Sequence, residues 1–473
     1  MSRRFEPPFL LFVNPWITDF AAYDLWAKPL GLLFLAALFR EGGCRVALVD
    51  CLDRHDPETE ERPDVLPGGD RKYGTGKYPK MPIPTPEPLQ GLSRTFYRYG
   101  IHPESFRKKL QPLPRPDLIC VTSAMTYWYP GVAETIAHLK DVFPKSPVWL
   151  GGIYARLCPE HARRTSGADR VCTEPLAETL ARAETVLNFR LSNRHRWDSP
   201  AHFPLPALDL LPRLTYGPVI ASLGCPYRCP YCASSRLQPQ RIAFPAETVA
   251  GQILQVHERT GVRDFAFYDD ALLLGNPGLR PALERLRGEG RTFRFHTPNA
   301  LHIRALIDPD LCRFLYESGF TTLRLGLETT RPDKQKAWGG KLEVEMFQLA
   351  VENLLQAGFA SEQIGAYLLC GLPDQTVEEV AEAVETVRRA GALPYLAEYS
   401  PIPGTAAWNQ AVRQSPFPIE TEPLTHNNTF FACRRPDFTL EDLQDLKRLA
   451  QTARAQFRKA QKTFKSEAPS TEL

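Results

Sequence analysis

The chain has 473 residues, room for roughly three domains at about 150 residues each, and its 43% hydrophobic and 23% charged content excludes a disordered or fibrous protein. The net charge of +3 is too balanced to predict a nucleic-acid or anionic-membrane partner. The longest apolar stretch, Gly31 to Phe39, is about half of what a bilayer span needs, and the basic N-terminus carries no signal-peptide pattern, so a cytoplasmic protein without a membrane partner is expected.

In chain order, FLLFVN (9–14), RVALVD (45–50), DLICVTS (117–123) and VWLGGI (148–153) are short apolar runs of the kind buried parallel strands show. Helical patterns at about 29–41, 130–141 and 157–165 separate them. This alternation predicts a Rossmann-like, flavodoxin-like α/β domain over 1–190 with ligands at the carboxyl ends of its strands. A stretch rich in Pro, Gly, Lys and Arg, about 52–113, is too long for an ordinary connection and reads as an insertion that serves function or covers a partner. Within it, Asp53-Arg54-His55 reads as a solvated loop.

A proline-bearing linker, 191–215, leads to a second alternating region over 216–405. Its candidate strands are 219–224, 264–269, 293–297, 322–328, 364–371 and 396–400, with helical patterns at about 246–260, 277–290, 309–318, 343–357 and 376–390. Six such units predict a partial (β/α)6 TIM-like barrel, in which reactive residues belong at the carboxyl ends of strands. Residues 406–473 form a C-terminal helical extension: Leu440, Leu443, Leu446 and Leu449 recur at period three, the mark of a packing helix, and the terminal SEAPSTEL is expected to fray.

Eleven cysteines at uneven spacings in a chain without an export signal argue for metal or redox chemistry over a disulfide framework. Three of them, Cys225, Cys229 and Cys232, stand in LGCPYRCPYCASS directly after the first strand of the second region. Random placement gives that C-x3-C-x2-C spacing with a chance of roughly 0.006, so the loop is a ligand set. Structural zinc wants four protein ligands, and His257 and Cys312 are the remote candidates for a fourth. A cubane cluster held by three thiolates leaves one iron open to a substrate or cofactor. A zinc knuckle or free thiols remain the alternatives.

CPYRCPYC at a strand end, followed by β/α repeats, resembles the radical S-adenosylmethionine (SAM) enzymes over about 216–405. The resemblance implies that Cys225, Cys229 and Cys232 bind a 4Fe-4S cluster whose open iron chelates SAM, and that Tyr231 contacts the adenine. It implies further SAM contacts at the other strand ends. Asp269 and Asp270 in FYDDALL stand where the family places groups for the methionine amine, although the familiar Gly-Gly-Glu is absent and a helix N-cap is the alternative. Asn299 in HTPNALHIR, beside His296 and Arg304, reads as a ligand contact or a loop stabiliser. Glu328 in LRLGLET resembles the ribose contact, and Arg324 is placed to pair the SAM carboxylate. Gly371 in the Gly-Leu-Pro turn resembles the adenine platform, whereas Cys370 reads as a buried small hydrophobe.

An α/β domain preceding such a core resembles the cobalamin-binding (B12) members of that family. Ser123 and Met125 at the third strand end, and Gly151 and Gly152 at the fourth, resemble the features that let a corrin and its nucleotide tail approach the backbone. The D-x-H-x-x-G motif is absent after the first strand, so a lower axial histidine is not expected, and Trp16, Tyr127 or Trp128 is expected near the ring. A scaffold without cofactor is the alternative.

The resemblance as a whole implies a cobalamin-type radical SAM methyltransferase acting on an unactivated carbon or phosphinate of a small-molecule or natural-product-like substrate, with an electron donor such as flavodoxin or ferredoxin. A radical SAM rearrangement, cyclisation or sulfur insertion is the second reading. A non-catalytic zinc or cofactor-binding scaffold is the third.

Overall fold

The computed structural model describes residues 6–192, 194–197, 199, 202–338 and 344–467; the end of the SEAPSTEL segment, 468–473, lies outside them. The chain divides into two compact units. One comprises Met1–Pro218 with Glu247–Asp264 and Ile419–His426, the other Val219–Ala246 with Phe265–Pro418 and Asn427–Leu473.

The first unit is built on five strands, Phe9–Asn14 (β1), Arg45–Asp50 (β2), Leu118–Val121 (β3), Val148–Leu150 (β4) and Arg170–Val171 (β5). Their order is β5-β4-β3-β1-β2 and all four pairings are parallel. This is the flavodoxin-like order 2-1-3-4-5, as expected from the alternation, with β5 too short to be read from the sequence. Every side chain of β1 is buried because helices cover both faces of the sheet. Leu11 and Val13 join one core with Ile119, Val121 and the helix Tyr129–Val142. Leu10 and Phe12 join the opposite core with Leu118, Cys120 and the helix Leu30–Glu41. The period of two along each strand thus divides the apolar residues between two layers. The helices that follow β1 and β3 pack on opposite faces, so the strand order reverses between these two strands, the place where sheets of this kind bind ligands at the strands' carboxyl ends.

The insertion is ordered. Ile17–Asp19, Tyr97–Tyr99 and Lys80–Pro82 make one small antiparallel sheet; Tyr23–Asp24, Gly76–Lys77 and Gly69–Asp70 make another. The helix Pro103–Leu110 sends Phe106 and Leu110 into the core. Asp53-Arg54-His55 is not the solvated loop expected: Asp53 and Arg54 are 8% and 4% exposed. Arg54 donates to Asp24 (3.0 Å), Asp70 (2.6 Å), the Gly74 carbonyl (2.7 Å) and Thr215 Oγ1 (3.1 Å), so a guanidinium with five donors finds a partner in each segment it faces.

The second sheet comprises Gly217–Val219 (β6), Asp264–Phe267 (β7), Arg294–His296 (β8), Phe320–Glu328 (β9), Ile364–Cys370 (β10) and Leu393–Glu398 (β11). They adjoin in chain order, and the pairings from β8 to β11 are parallel, as the six-unit partial barrel requires. The C-terminal helix Leu440–Glu467 packs with Phe431, Phe438 and Cys370 through Leu443 and Leu446. Its buried side continues at Ala450 and Ala453, whereas Leu440 and Leu449 are each 41% exposed. A period of three lags the helical 3.6 by about 60° per step, so four leucines so spaced cannot share one face. Among the described residues no helix is long and apolar enough to cross a membrane.

Candidate active site

The cysteine loop begins where Ser222–Leu223 pairs with Ile242–Ala243. Gly224 turns the chain at φ +76°, and a Cβ there would stand 2.7 Å from the Gln240 carbonyl, so only glycine fits this start. Within the loop the Cys232 N–H donates to the Cys229 carbonyl (3.0 Å), and the Pro230 carbonyl accepts from Ala407 N–H (2.8 Å). Cys229 is buried, Cys225 and Cys232 half-buried. The Cys225 sulfur lies 3.7 Å from His302 Nε2. Cys232 accepts from the Ser234 N–H (3.4 Å), and its thiol lies 3.3 Å from Ser234 Oγ.

Burial pushes Cys44 and Cys172 up to about 11, Cys158, Cys312, Cys370 and Cys433 to about 12, and Cys51 and Cys120 higher still. They are protonated, inert packing groups, Cys370 among them as expected. Cys312 donates to the Leu306 carbonyl (3.3 Å) and His257 Nδ1 meets the Val262 carbonyl at 2.9 Å. Among the described residues no three His, Cys, Asp or Glu side chains are grouped to hold one metal ion. Three thiols on one short loop are the donor chemistry that a cubane with one open iron takes.

The strand ends around this loop are not equivalent. At the end of β9 the pairing with β10 shifts register between Gly326 and Glu328, and Glu328 takes φ +66°, an uncommon conformation for a residue with a side chain. A bulge of this kind re-aims a side chain. Glu328 acts on the phenol of Tyr231, which burial first, then Glu328 and Cys229, push well above its ordinary range. Tyr231 also sits edge-on to Trp338, with ring centroids 6.4 Å apart. Tyr231, Glu328 and the cysteines therefore form one electrostatic group. Asp270 is tied to it through Ser234: burial raises its carboxyl, and a hydrogen bond with Ser234 and the charge of Arg241 oppose the rise.

Asp269 has a different part. Its oxygens accept from the Ala221 N–H (3.0 and 3.2 Å) and the Ser222 hydroxyl (2.7 Å), which clamps the approach to the cysteine loop. Burial lifts its carboxyl from 3.8 to about 7 against those hydrogen bonds. The folded state therefore prefers the protonated acid, and the stability this confers is whole below pH 3.8 and lost as the pH rises toward 7. Relative to Asp269→Asn, the wild type should lose up to about 1.4 kcal/mol per pH unit across that window; urea melts of both proteins with parallel pH slopes would discard the assignment.

Asn299 donates to the Tyr268 and Asp269 carbonyls (2.9 and 3.3 Å), a loop-stabilising arrangement. Arg324 donates to the Leu323 carbonyl (2.9 Å) and lies over the Tyr395 ring, 4.5 Å from its centroid. Gly371, at φ +90°, has its open side filled by the Phe431 ring, 2.0 Å from where a Cβ would stand, and its N–H donates to Gln375 Oε1 (2.9 Å). His302 is not among the residues singled out in HTPNALHIR (His296, Asn299 and Arg304), and its one sequence signal is its place three residues beyond Asn299.

In the first unit, Ser123 at the β3 end donates to the Gly151 carbonyl (2.6 Å) and accepts from Ala155 N–H (3.3 Å). Gly152 adopts φ +93°, and a Cβ there would meet the Ser123 carbonyl oxygen at 2.2 Å, whereas nothing lies within 4 Å of one on Gly151. Met125 and Ile153 beside them are 46% and 40% exposed. Gly152→Ala should therefore cost more than about 1 kcal/mol and Gly151→Ala should leave the denaturation midpoint unchanged; equal midpoints for the two would refute the packing argument. Trp16, one of the three aromatics considered for the ring, is a core residue. It is 1% exposed, edge-on to Phe106 at 4.9 Å, with its Nε1–H donating to the Ile101 carbonyl (2.8 Å). Trp128 donates to Asp19 (2.7 Å). The sequence gives no hint that His426 reaches the same unit, where Nδ1 meets Thr126 Oγ1 at 2.9 Å and Nε2 the Ile419 carbonyl at 2.7 Å.

Residues 219–387 match the radical SAM superfamily model. An uncharacterized methyltransferase of Pyrococcus horikoshii is 22% identical over 329 residues, which cover 63% of this chain and 70% of that protein. Among solved structures, the radical SAM methyltransferase TsrM of Kitasatospora setae, with cobalamin and a 4Fe-4S cluster bound, superposes with a TM-score of 0.67 at 16% identity over 94% of this chain and 91% of that one. The cobalamin-dependent radical SAM enzyme OxsB, with aqua-cobalamin and SAM bound, gives 0.58 at 12% identity over 90% of this chain and 56% of that one. At these identities the structural likeness establishes the fold.

Proposed function

We propose that this chain, which carries a radical SAM domain over residues 219–387, is a cobalamin-type radical SAM methyltransferase acting on an unactivated carbon or a phosphinate of a small organic substrate. The observation that carries the reading is the pairing of two features in one chain. These are a C-x3-C-x2-C loop directly after the strand Ser222–Leu223 and a domain of flavodoxin-like strand order whose switch point lies between β1 and β3. When bound, the cluster supplies the electron that cleaves SAM, and the corrin supplies the methyl group.

Cys225, Cys229 and Cys232 are the cluster ligands in this reading, and Ser234 orients the third. Tyr231, kept neutral by burial, offers an apolar ring and a hydrogen-bonding phenol to the adenosine. Glu328, held aside by the β9 bulge, receives a ribose hydroxyl. Asp270 and Gly371 border the SAM site, while Asp269, Asn299 and Arg324 support it through the contacts described. In the domain over 1–190, Ser123, Met125, Gly151 and Gly152 hold the corrin, with Gly151 giving the nucleotide tail access to the backbone. A redox protein such as flavodoxin or ferredoxin is the reductant, and the location is cytoplasmic.

Anaerobic reconstitution with iron, sulfide and hydroxocobalamin, followed by metal and corrin analysis, tests this. About four irons and one corrin per chain are expected, with transfer of the SAM methyl group to an organic acceptor. Four irons without corrin would remove methyl transfer from the reading; zinc alone would overturn it.

A further inference from the structure

We infer that His302 is a positioning residue that donates a hydrogen bond to the sulfur of Cys225 and thereby raises the reduction potential of the cluster. The inference rests on the cluster reading above and concerns a residue outside the cysteine motif. Nε2 is the nitrogen that faces the sulfur, at 3.7 Å, within reach of an N–H···S contact. The ring is held there from its face: Tyr227, inside the cysteine loop, stacks on it with centroids 4.7 Å apart and planes 25° from parallel. It is held from its backbone as well. The preceding residue, Leu301, donates its N–H to the Arg324 carbonyl (2.7 Å) and accepts from Gly326 N–H (3.2 Å), forming a bridge to β9 at Leu325. The imidazole is thus fixed between a strand and the loop it serves, and rotation away from the sulfur would break the stack.

Cluster potentials are set in part by hydrogen bonds to the cysteine sulfurs. One-electron reduction adds negative charge to the cluster, so a donor aimed at a ligand sulfur stabilises the reduced form more than the oxidised form. Ser234 supplies such a donor to Cys232; His302 supplies one to Cys225, leaving the two half-buried thiols each with a dedicated partner.

The test is a potentiometric titration, followed by electron paramagnetic resonance, of the anaerobically reconstituted full chain and its His302→Gln, His302→Phe and His302→Met variants. Iron and sulfide are counted in each. The Phe and Met variants should hold the full cluster at a more negative midpoint potential, and Gln, which keeps an N–H donor, should return the potential toward the wild type. Loss of the cluster from Phe and Met with retention in Gln would overturn the effect on the potential and make His302 a residue needed to hold the cluster. Unchanged potentials in Phe and Met, or loss of the cluster from all three variants, would overturn it and leave His302 a packing residue. A wild type that binds no cluster would instead sink the reading on which this inference rests.

Discussion

Cys229→Ala should leave the chain folded and abolish the iron-sulfur absorbance, with iron falling from about four per chain to background and SAM cleavage lost with it. Cys229 is the buried thiol of the three, 8% exposed, and it lies between the two turns that shape the loop. Removing it leaves two thiolates, fewer than the three that hold a site-differentiated cubane, and opens a cavity no larger than a sulfur atom. The loop backbone does not depend on it: the Cys232 N–H still reaches the residue 229 carbonyl, and Pro230 still accepts from Ala407. The control is Cys312→Ser. Cys312 is buried, pushed up to about 12 by burial, and bonded to Leu306, so its replacement should lower the denaturation midpoint and spare the iron content. Circular dichroism separates a lost ligand from a lost fold. A full cluster and undiminished SAM cleavage in Cys229→Ala would remove the loop from the active site.

Much of this arrangement is legible in the sequence because it is local. Runs such as FLLFVN and RVALVD coincide with β1 and β2 to the residue, because a short apolar run rich in β-branched and aromatic residues favours a strand of a parallel sheet. The helical patterns at about 29–41, 130–141 and 376–390 are observed as Leu30–Glu41, Tyr129–Val142 and Val377–Arg389; at the last, the Thr376 hydroxyl accepts from Glu379 N–H while Glu379 accepts from Thr376 N–H. The cysteine loop is a property of spacing alone.

What stays hidden depends on partners distant in the chain. That the Phe431 ring fills the space a Cβ on Gly371 would take, that Trp16 is a core residue, and that Ile419–His426 returns to the first unit are facts about segments separated by 60 to 400 residues. The positive φ of Glu328 has no sequence mark either, because it arises from a register shift between two strands. The polar stretch around Arg54 misleads for a general reason. Composition reports how many charges a segment carries but not whether they meet one another, and Asp24 lies thirty residues before Arg54.

Arg54→Met should destabilise the first unit by about 3–5 kcal/mol, the cost of breaking a buried ion pair from one side. Asp24 is fully buried, and its carboxylate accepts from Arg54 (3.0 Å), Lys28 (3.3 Å) and the Tyr216 hydroxyl (2.6 Å). Burial alone would raise the carboxyl, but Lys28, the Tyr216 hydrogen bond and Arg54 together hold it below 3.8. Loss of the guanidinium returns part of the desolvation cost uncompensated and also releases Asp70, Gly74 and Thr215. Asp24→Asn in the Arg54→Met background should recover part of the loss, since the amide keeps an acceptor for Tyr216 without an unpaired charge, and the double-mutant cycle isolates the pair. The pH dependence follows from the direction of the shift. A carboxyl depressed on folding contributes its stability fully above the unfolded value near 3.8 and loses it as the pH falls through the lower folded value. Urea melts should therefore show the full gap between wild type and Arg54→Met at neutral pH and a narrowing gap below about pH 4. A gap under about 1 kcal/mol at neutral pH, the scale of an exposed pair, would mean that water reaches Arg54 after all.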